Sequence, residues 1–207
     1  MFEIINICYN NIGDKMINYP NGKKIVNEKV KNKSNLGQSL EDDLNKTNIY
    51  YQIHKIALVY KKPTPINIVK VDYPKRSAAK ITEAYYQQSS TTDYNGIYNG
   101  IAIDFEAKST HNKTSFPLKM IHKHQLEHLS RVLNHGGFPF LIIRFAIYNL
   151  TFLLPYQLLD QYIKNEKKQS IPLNWFKQNT KIITNSYFKP CDYIQALKPI
   201  LEQGGYL

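Results

Sequence analysis

The chain has 207 residues, 43% of them hydrophobic, and a formal net charge of +11 with a pI near 9.4. That length suits one domain with a real core and perhaps a small appendage, and the charge points to a polyanionic partner, nucleic acid or an acidic membrane surface. A membrane span, a secretory leader and a disulfide framework are not expected: the longest apolar run, Phe138 to Phe145, is strand length and holds Pro139 and Arg144, Met1 to Tyr9 lack a basic leader and a long apolar segment, and Cys8 and Cys191 are the only cysteines. Two lone thiols fit a reducing cytosol.

Residues 1–34 are Asn-rich and poorly periodic, with Lys23, Lys24, Lys29, Lys31 and Lys33 clustered in them, and are expected to form a mobile basic arm. A single domain is expected over 35–207. Asn35 and Gln38 stand three apart like a capping pair, and Leu40, Leu44, Thr47 and Tyr51 recur at helical spacing, so a first helix should run to about Tyr51, with Glu41 beside its apolar stripe. Ile56 to Tyr60 reads as a strand, ended by Lys61-Lys62-Pro63-Thr64-Pro65. Ile66 to Tyr73 looks extended, and Ser77 to Tyr86 is expected to be a short helix. Lys61, Lys62, Lys70, Lys75, Arg76 and Lys80 fall within a segment whose single acid is Asp72, with Tyr73 among them and Tyr85 and Tyr86 close behind. Cations interleaved with aromatics suit phosphate neutralisation with base stacking nearby.

Strict alternation in Ile101-Ala102-Ile103-Asp104-Phe105-Glu106-Ala107-Lys108 predicts a half-buried strand. Its apolar members should face a core. Asp104, Glu106 and Lys108 share the other face, where a rise of about 3.3 Å per residue puts Glu106 and Lys108 about 6.6 Å apart. Asn99-Gly100 is a type I′ hairpin signal, so Tyr94 to Tyr98 should run antiparallel and bring Asp93 to the far end of that strand, within reach of an ion shared with Glu106. Paired carboxylates with a nearby lysine are what metal-assisted phosphodiester hydrolysis needs. The bare spacing equally describes an ordinary hairpin with a charged, solvated face.

Ser115 and Pro117 are expected to open a helix that Gly136-Gly137 closes, with Leu118, Ile121, Gln125, Leu129 and Val132 as its inward seam. Gln125 is the polar member of that stripe and needs partners, from an active site or from backbone. His124 and His128 stand four apart on this helix, a spacing that zinc sites use, but no cysteine lies near and a polar helix face explains them as well. No glycine-rich phosphate loop precedes the lysines, and nothing marks one serine as a nucleophile. Phe138 to Phe145 and Leu150 to Leu154 read as strands, Pro155 starts a helix carrying Leu158, Leu159, Tyr162 and Ile163, and a terminal helix near Tyr193 to Leu201 is expected. The order indicates an α/β fold, a mixed sheet flanked by helices.

Five blocks carry a resemblance: Lys61-Lys62-Pro63-Thr64-Pro65-Ile66, Val69 to Ala79, Ser90-Thr91-Thr92-Asp93-Tyr94-Asn95-Gly96, Ile103 to Lys108 and Thr114 to Lys119. In order and content they closely resemble the RecU Holliday junction resolvases of low-GC Gram-positive bacteria and mycoplasmas, from about Tyr19 to the C-terminal region. The resemblance implies a restriction-endonuclease-like core, a stalk inserted at about 63–89, a homodimer, and paired symmetric nicking of four-way junction DNA during recombination and repair. By position it implies Asp93 and Glu106 as ligands of Mg²⁺ or Mn²⁺, Lys108 as the residue that orients or deprotonates water, and Thr91 holding water or a phosphate oxygen. Glu41 and Gln125 are further candidates for ligand or supporting roles. Lys75, Arg76 and Tyr86 would meet DNA from the stalk, with Lys61, Lys62, Lys70 and Lys80 adding charge; Arg76 also matches a position linked to a RecA-type recombinase, and a branch-migration helicase is a further expected partner. A cytoplasmic, nucleoid-associated protein is implied.

The chain departs from the family pattern at Leu36, Gln87 and Ser89, where arginine, lysine and proline are usual, and residues before Met16 read as a dispensable extension. Two other readings stay open: a duplex-cutting nuclease of the same fold, and a non-catalytic junction-binding or strand-annealing modulator of recombination.

Overall fold

A computed structural model describes residues 35–87 and 91–205. The basic arm expected at 1–34, the stretch before Met16 and the departure at Ser89 lie outside them. Helix α1 spans Asn35–Ile53, and Leu40, Leu44, Thr47 and Tyr51 form its buried stripe, as an i, i+4, i+7 repeat requires. Strand β1 (Leu58–Lys61) follows.

The chain then runs out into an antiparallel ribbon of β2 (Ile66–Asp72) and β3 (Lys80–Tyr86). The helix expected over Ser77–Tyr86 is absent there. One 3₁₀ turn, Arg76–Ala78, reverses the chain, and the rest is strand. Ile81, Thr82, Tyr85 and Tyr86 favour extended backbone, and a short helix with no core beneath it is marginal in water, whereas β2 supplies a ladder of hydrogen bonds. Every residue of both strands is exposed, so the ribbon buries neither face against the body.

Strands β4 (Tyr94–Tyr98) and β5 (Ile101–Thr110) form the expected hairpin. Asn99 and Gly100 turn it with φ of 47° and 81°, the positive pair that a type I′ turn demands. Next come β6 (Ser115–Pro117), a 3₁₀ turn (Leu118–Met120) and α2 (Lys123–Asn134). After these lie β7 (Phe138–Phe145), β8 (Leu150–Pro155), α3 (Tyr156–Glu166), β9 (Ser170–Pro172), α4 (Leu173–Asn179), β10 (Lys181–Ile182) and α5 (Tyr193–Gln203). The helix expected from Ser115 starts only at Lys123, because Ser115–Pro117 pairs antiparallel with β9. A partner so distant leaves no local signal.

The main sheet has the order β1-β4-β5-β7-β8-β10. β5 and β7 are parallel and the other neighbours antiparallel, so the sheet is mixed. Strand β7 is buried throughout: Phe138, Phe140 and Ile142 join a core with α1 and α5, while Leu141, Ile143 and Phe145 join one with α2, α3 and α4. The α/β class and the sheet flanked by helices are as expected. Among the described residues no helix is long and apolar enough to cross a membrane.

Stacking decides which way β5 faces. Tyr94, Phe105 and Phe140 stack in succession, centroids 4.9 and 4.7 Å apart, on the α1 side. Alternation then turns Asp104 and Glu106 toward α2. That face is not solvated: both carboxylates are buried.

Candidate active site

Tyr94 pairs with Phe105 in the β4–β5 register, so Asp93, one residue before β4, comes level with Glu106. Their backbones and side chains interlock. The Asp93 N–H donates to Glu106 Oε2 at 3.1 Å, and the Ala107 N–H donates to Asp93 Oδ2 at 3.4 Å. From α2, Gln125 Nε2 donates to Glu106 Oε1 at 2.6 Å, while its Oε1 accepts the N–H of His122 at 3.0 Å. Gln125 is the third residue of α2, where a side chain reaches back to an N-terminal donor that the helix leaves unpaired. Lys108 Nζ folds back to 2.6 Å from Glu106 Oε1.

Glu106 is fully buried. Burial first, and the neighbouring Asp93 carboxylate second, push its pKa up to about 7 against the pull of Lys108. Two close carboxylates, one of them driven to keep its proton, gain from a cation. The donors are hard oxygens, and among the described residues no three His, Cys, Asp or Glu side chains converge on a metal position. A pair of carboxylates leaving room for waters and phosphate oxygens is the sparse protein ligation that Mg²⁺ accepts. These residues therefore fit a hard divalent ion.

The other expected site residues fall in three places. Thr91 is half-buried and its hydroxyl donates to the Thr92 carbonyl at 3.4 Å. Glu41, on α1, is half-buried and meets Lys61 Nζ at 2.5 Å. Lys62 points inward, its Nζ 2.8 Å from Asp104 Oδ2. Lys70, Lys75, Lys80 and Tyr86 are exposed on the ribbon, and Arg76 opens its reversing turn. His122 and His124 stack on one another with centroids 5.4 Å apart. His128 instead turns to Asp104.

Sequence reasoning set Asp104 on the face of Glu106 but gave neither it nor Thr92 a part in the site; both are buried there. Asp104 alternates with Glu106, and His128 follows Gln125 at i+3; together those spacings were the available signal.

The model of the RecU family, described as Recombination protein U, matches residues 35–199. The chain belongs to the RecU family. It is 47% identical over 193 residues to the Holliday junction resolvase RecU of Geobacillus sp. (strain WCH70), covering 88% of this chain and 96% of that one. To the Holliday junction resolvase RecU of Oceanobacillus iheyensis it is 48% identical over 191 residues, 87% of this chain and 97% of the relative. The Leuconostoc mesenteroides Holliday junction resolvase RecU is 50% identical over 167 residues, 80% and 82% of the two chains. Among solved structures, the Holliday junction resolvase Hjc of Archaeoglobus fulgidus aligns with 69% of this chain and 93% of its own at 12% identity and a TM-score of 0.41. The RecU match runs from α1 into α5, so every residue gathered around Glu106 lies inside it. Two of the residues expected to depart from the RecU pattern are placed: Leu36 lies in the first turn of α1, and Gln87 closes the ribbon, its N–H donating to the Pro65 carbonyl at 3.0 Å.

Proposed function

We propose that this RecU family member is a structure-selective, metal-dependent endonuclease that resolves Holliday junctions by paired nicks in recombination and DNA repair. The observation that carries this reading is the convergence of Asp93, Glu106, Lys108 and Gln125 on one buried face of β5. A bound Mg²⁺ or Mn²⁺ supplies polarisation of the phosphodiester and a water acidic enough to attack it. Asp93 and Glu106 would hold that ion. Gln125 keeps the Glu106 carboxylate from rotating, since its own amide oxygen is tied to the start of α2. Lys108 orients the attacking water and offsets charge that builds on the phosphate. Thr91 offers a hydroxyl to a water or phosphate oxygen at the edge of the site.

The ribbon of β2 and β3 acts as the stalk, with Lys70, Lys75, Arg76, Lys80 and Tyr86 meeting the junction, and Lys61 adds charge at its base. Resolution needs two opposed nicks, which a two-fold homodimer supplies with one centre per subunit. The substrate places the protein on the nucleoid in the cytoplasm, where a RecA-type recombinase and a branch-migration helicase are its partners. A purely junction-binding protein has no need of a buried carboxylate, Glu106, that resists ionisation beside a second acid.

Cleavage of a labelled synthetic four-way junction, beside linear duplex of the same sequence, in Mg²⁺, Mn²⁺ or EDTA tests the proposal. Glu106→Gln keeps the shape of the side chain and removes its charge; nicking should fall by about 100-fold or more with junction binding retained. Unchanged nicking by that variant, or equal cutting of both substrates, overturns the reading.

A further inference from the structure

Two residues before Glu106, Asp104 is the hub of a second polar cluster on the α2 face of β5. Its side chain is 11% exposed. Lys62 Nζ donates to Asp104 Oδ2 at 2.8 Å and to Thr92 Oγ1 at 2.9 Å, and the Thr92 hydroxyl donates to Asp104 Oδ1. These three contacts close a triangle in which each proton has one acceptor. His128 Nε2 stands 3.2 Å from Asp104 Oδ1, off the line that a hydrogen bond needs.

The triangle joins three separate stretches of chain. Lys62 is the last residue before Pro63, where the chain leaves for the ribbon; Thr92 lies where it has come back; Asp104 belongs to the central hairpin. Asp93 is caught between them. The Lys62 backbone N–H donates to the Asp93 carbonyl at 2.7 Å, beyond the last register pair of β1 and β4, while Thr92 is the adjoining residue on the other side. So the main chain of Asp93 is held by the two residues whose side chains close on Asp104, and its own N–H is spent on Glu106.

A buried ion pair is a poor device for stability, because desolvating both charges offsets their attraction. It is an effective device for geometry when its members are hydrogen-bonded to one another, as Lys62, Thr92 and Asp104 are. The Lys62 charge is neutralised by Asp104 and mostly withdrawn from solvent, with 20% of its side chain exposed, which suits an internal strut better than a phosphate contact.

We infer that Asp104 is a positioning residue: through Lys62 and Thr92 it fixes Asp93 level with Glu106 and ties that ligand to both roots of the ribbon. This rests on the reading of Asp93 and Glu106 as the metal-holding pair.

The test is calorimetric titration of Mn²⁺ into the full-length chain, beside nicking of a labelled four-way junction over a range of Mn²⁺ concentrations. Thr92→Val removes the hydroxyl in nearly the same volume, Asp104→Asn removes the charge, and Thr92→Ser keeps the hydroxyl. Loosening a group that orients a ligand weakens metal binding by about 10-fold or more. Thr92→Val and Asp104→Asn should show that loss, with nicking depressed most at limiting Mn²⁺ and junction binding in EDTA within about twofold of the parent. Thr92→Ser should recover most of it. Should Asp104→Asn fail to fold, Thr92→Val, which deletes a single hydroxyl, decides alone.

Wild-type Mn²⁺ affinity in Thr92→Val, or equal losses in Thr92→Val and Thr92→Ser, overturns the inference. A parent chain that binds Mn²⁺ without nicking a junction sinks the resolvase reading and leaves the clamp to be judged by titration; a parent that binds no Mn²⁺ sinks both.

Discussion

Glu106 stands in an environment that opposes its own charge. Wholly buried beside Asp93, it is stabilised by one amide, one backbone N–H and the Lys108 ammonium, and these do not fully offset the loss of water. Its raised pKa has a consequence for folding. An unfolded glutamate releases its proton near the ordinary value, about 4.3, whereas the folded chain holds on to it until about pH 7. Between those limits the folded state binds more protons, so stability of the metal-free protein falls as pH rises through that window and levels off above it. Chemical denaturation in EDTA across pH 4 to 8 should show this decline, and Glu106→Gln should flatten it. A decline of the same depth in the variant would place the titration elsewhere. The identity of these residues was legible from alternation and turn chemistry. Their burial was not, because the cover is α2, whose contact with β5 is not encoded in the strand's own pattern.

At the scale of elements, the hairpin of β4 and β5 sets the site, and β1 braces it from the edge. Gly96 faces Val59 across the β1–β4 ladder. A Cβ placed on Gly96 would come within 2.7 Å of Val59 Cα and closer still to the Leu58 carbonyl oxygen. Backbone cannot yield as a flexible side chain would. Gly96→Ala should therefore push β1 off the sheet, cost about 1–3 kcal/mol in denaturant unfolding, and lower nicking as well, since β1 leads directly into Lys62. Stability equal to the parent's would show that the edge strand can shift freely. Type I′ turn residues and the continuous apolar run of β7 made these strands readable in advance. The ribbon's second strand and the late start of α2 were misread, as both depend on pairing with a distant partner. Helix α4 and the short strands β9 and β10 went unanticipated for the same reason.

Across the whole molecule, the net charge of +11 is joined to a ribbon that keeps its apolar side chains in water. Ile66, Ile68, Val69, Val71, Ile81, Tyr85 and Tyr86 are all exposed there. Apolar and aromatic groups set among lysines suit contact with unstacked bases flanked by phosphates. Tyr86 is 85% exposed, so Tyr86→Ala should leave the melting temperature unchanged while weakening four-way junction binding by about 10-fold in a gel-shift titration, the worth of a stacked base. A change in binding to linear duplex as large as that to the junction would argue against a junction-specific role for the ribbon. Composition, turn signals and ordered motif blocks by themselves determined the α/β class, the basic partner-facing character, the family, and Asp93, Glu106 and Lys108 as the residues to watch, because each of these is written in local spacing or residue type. Only the tertiary structure decided that Lys62 turns inward onto Asp104 and Thr92, that these contacts lie beside Asp93, and that Gln125 closes over Glu106. Those contacts join side chains from separate strands and a helix, and come together when the sheet and α2 are packed.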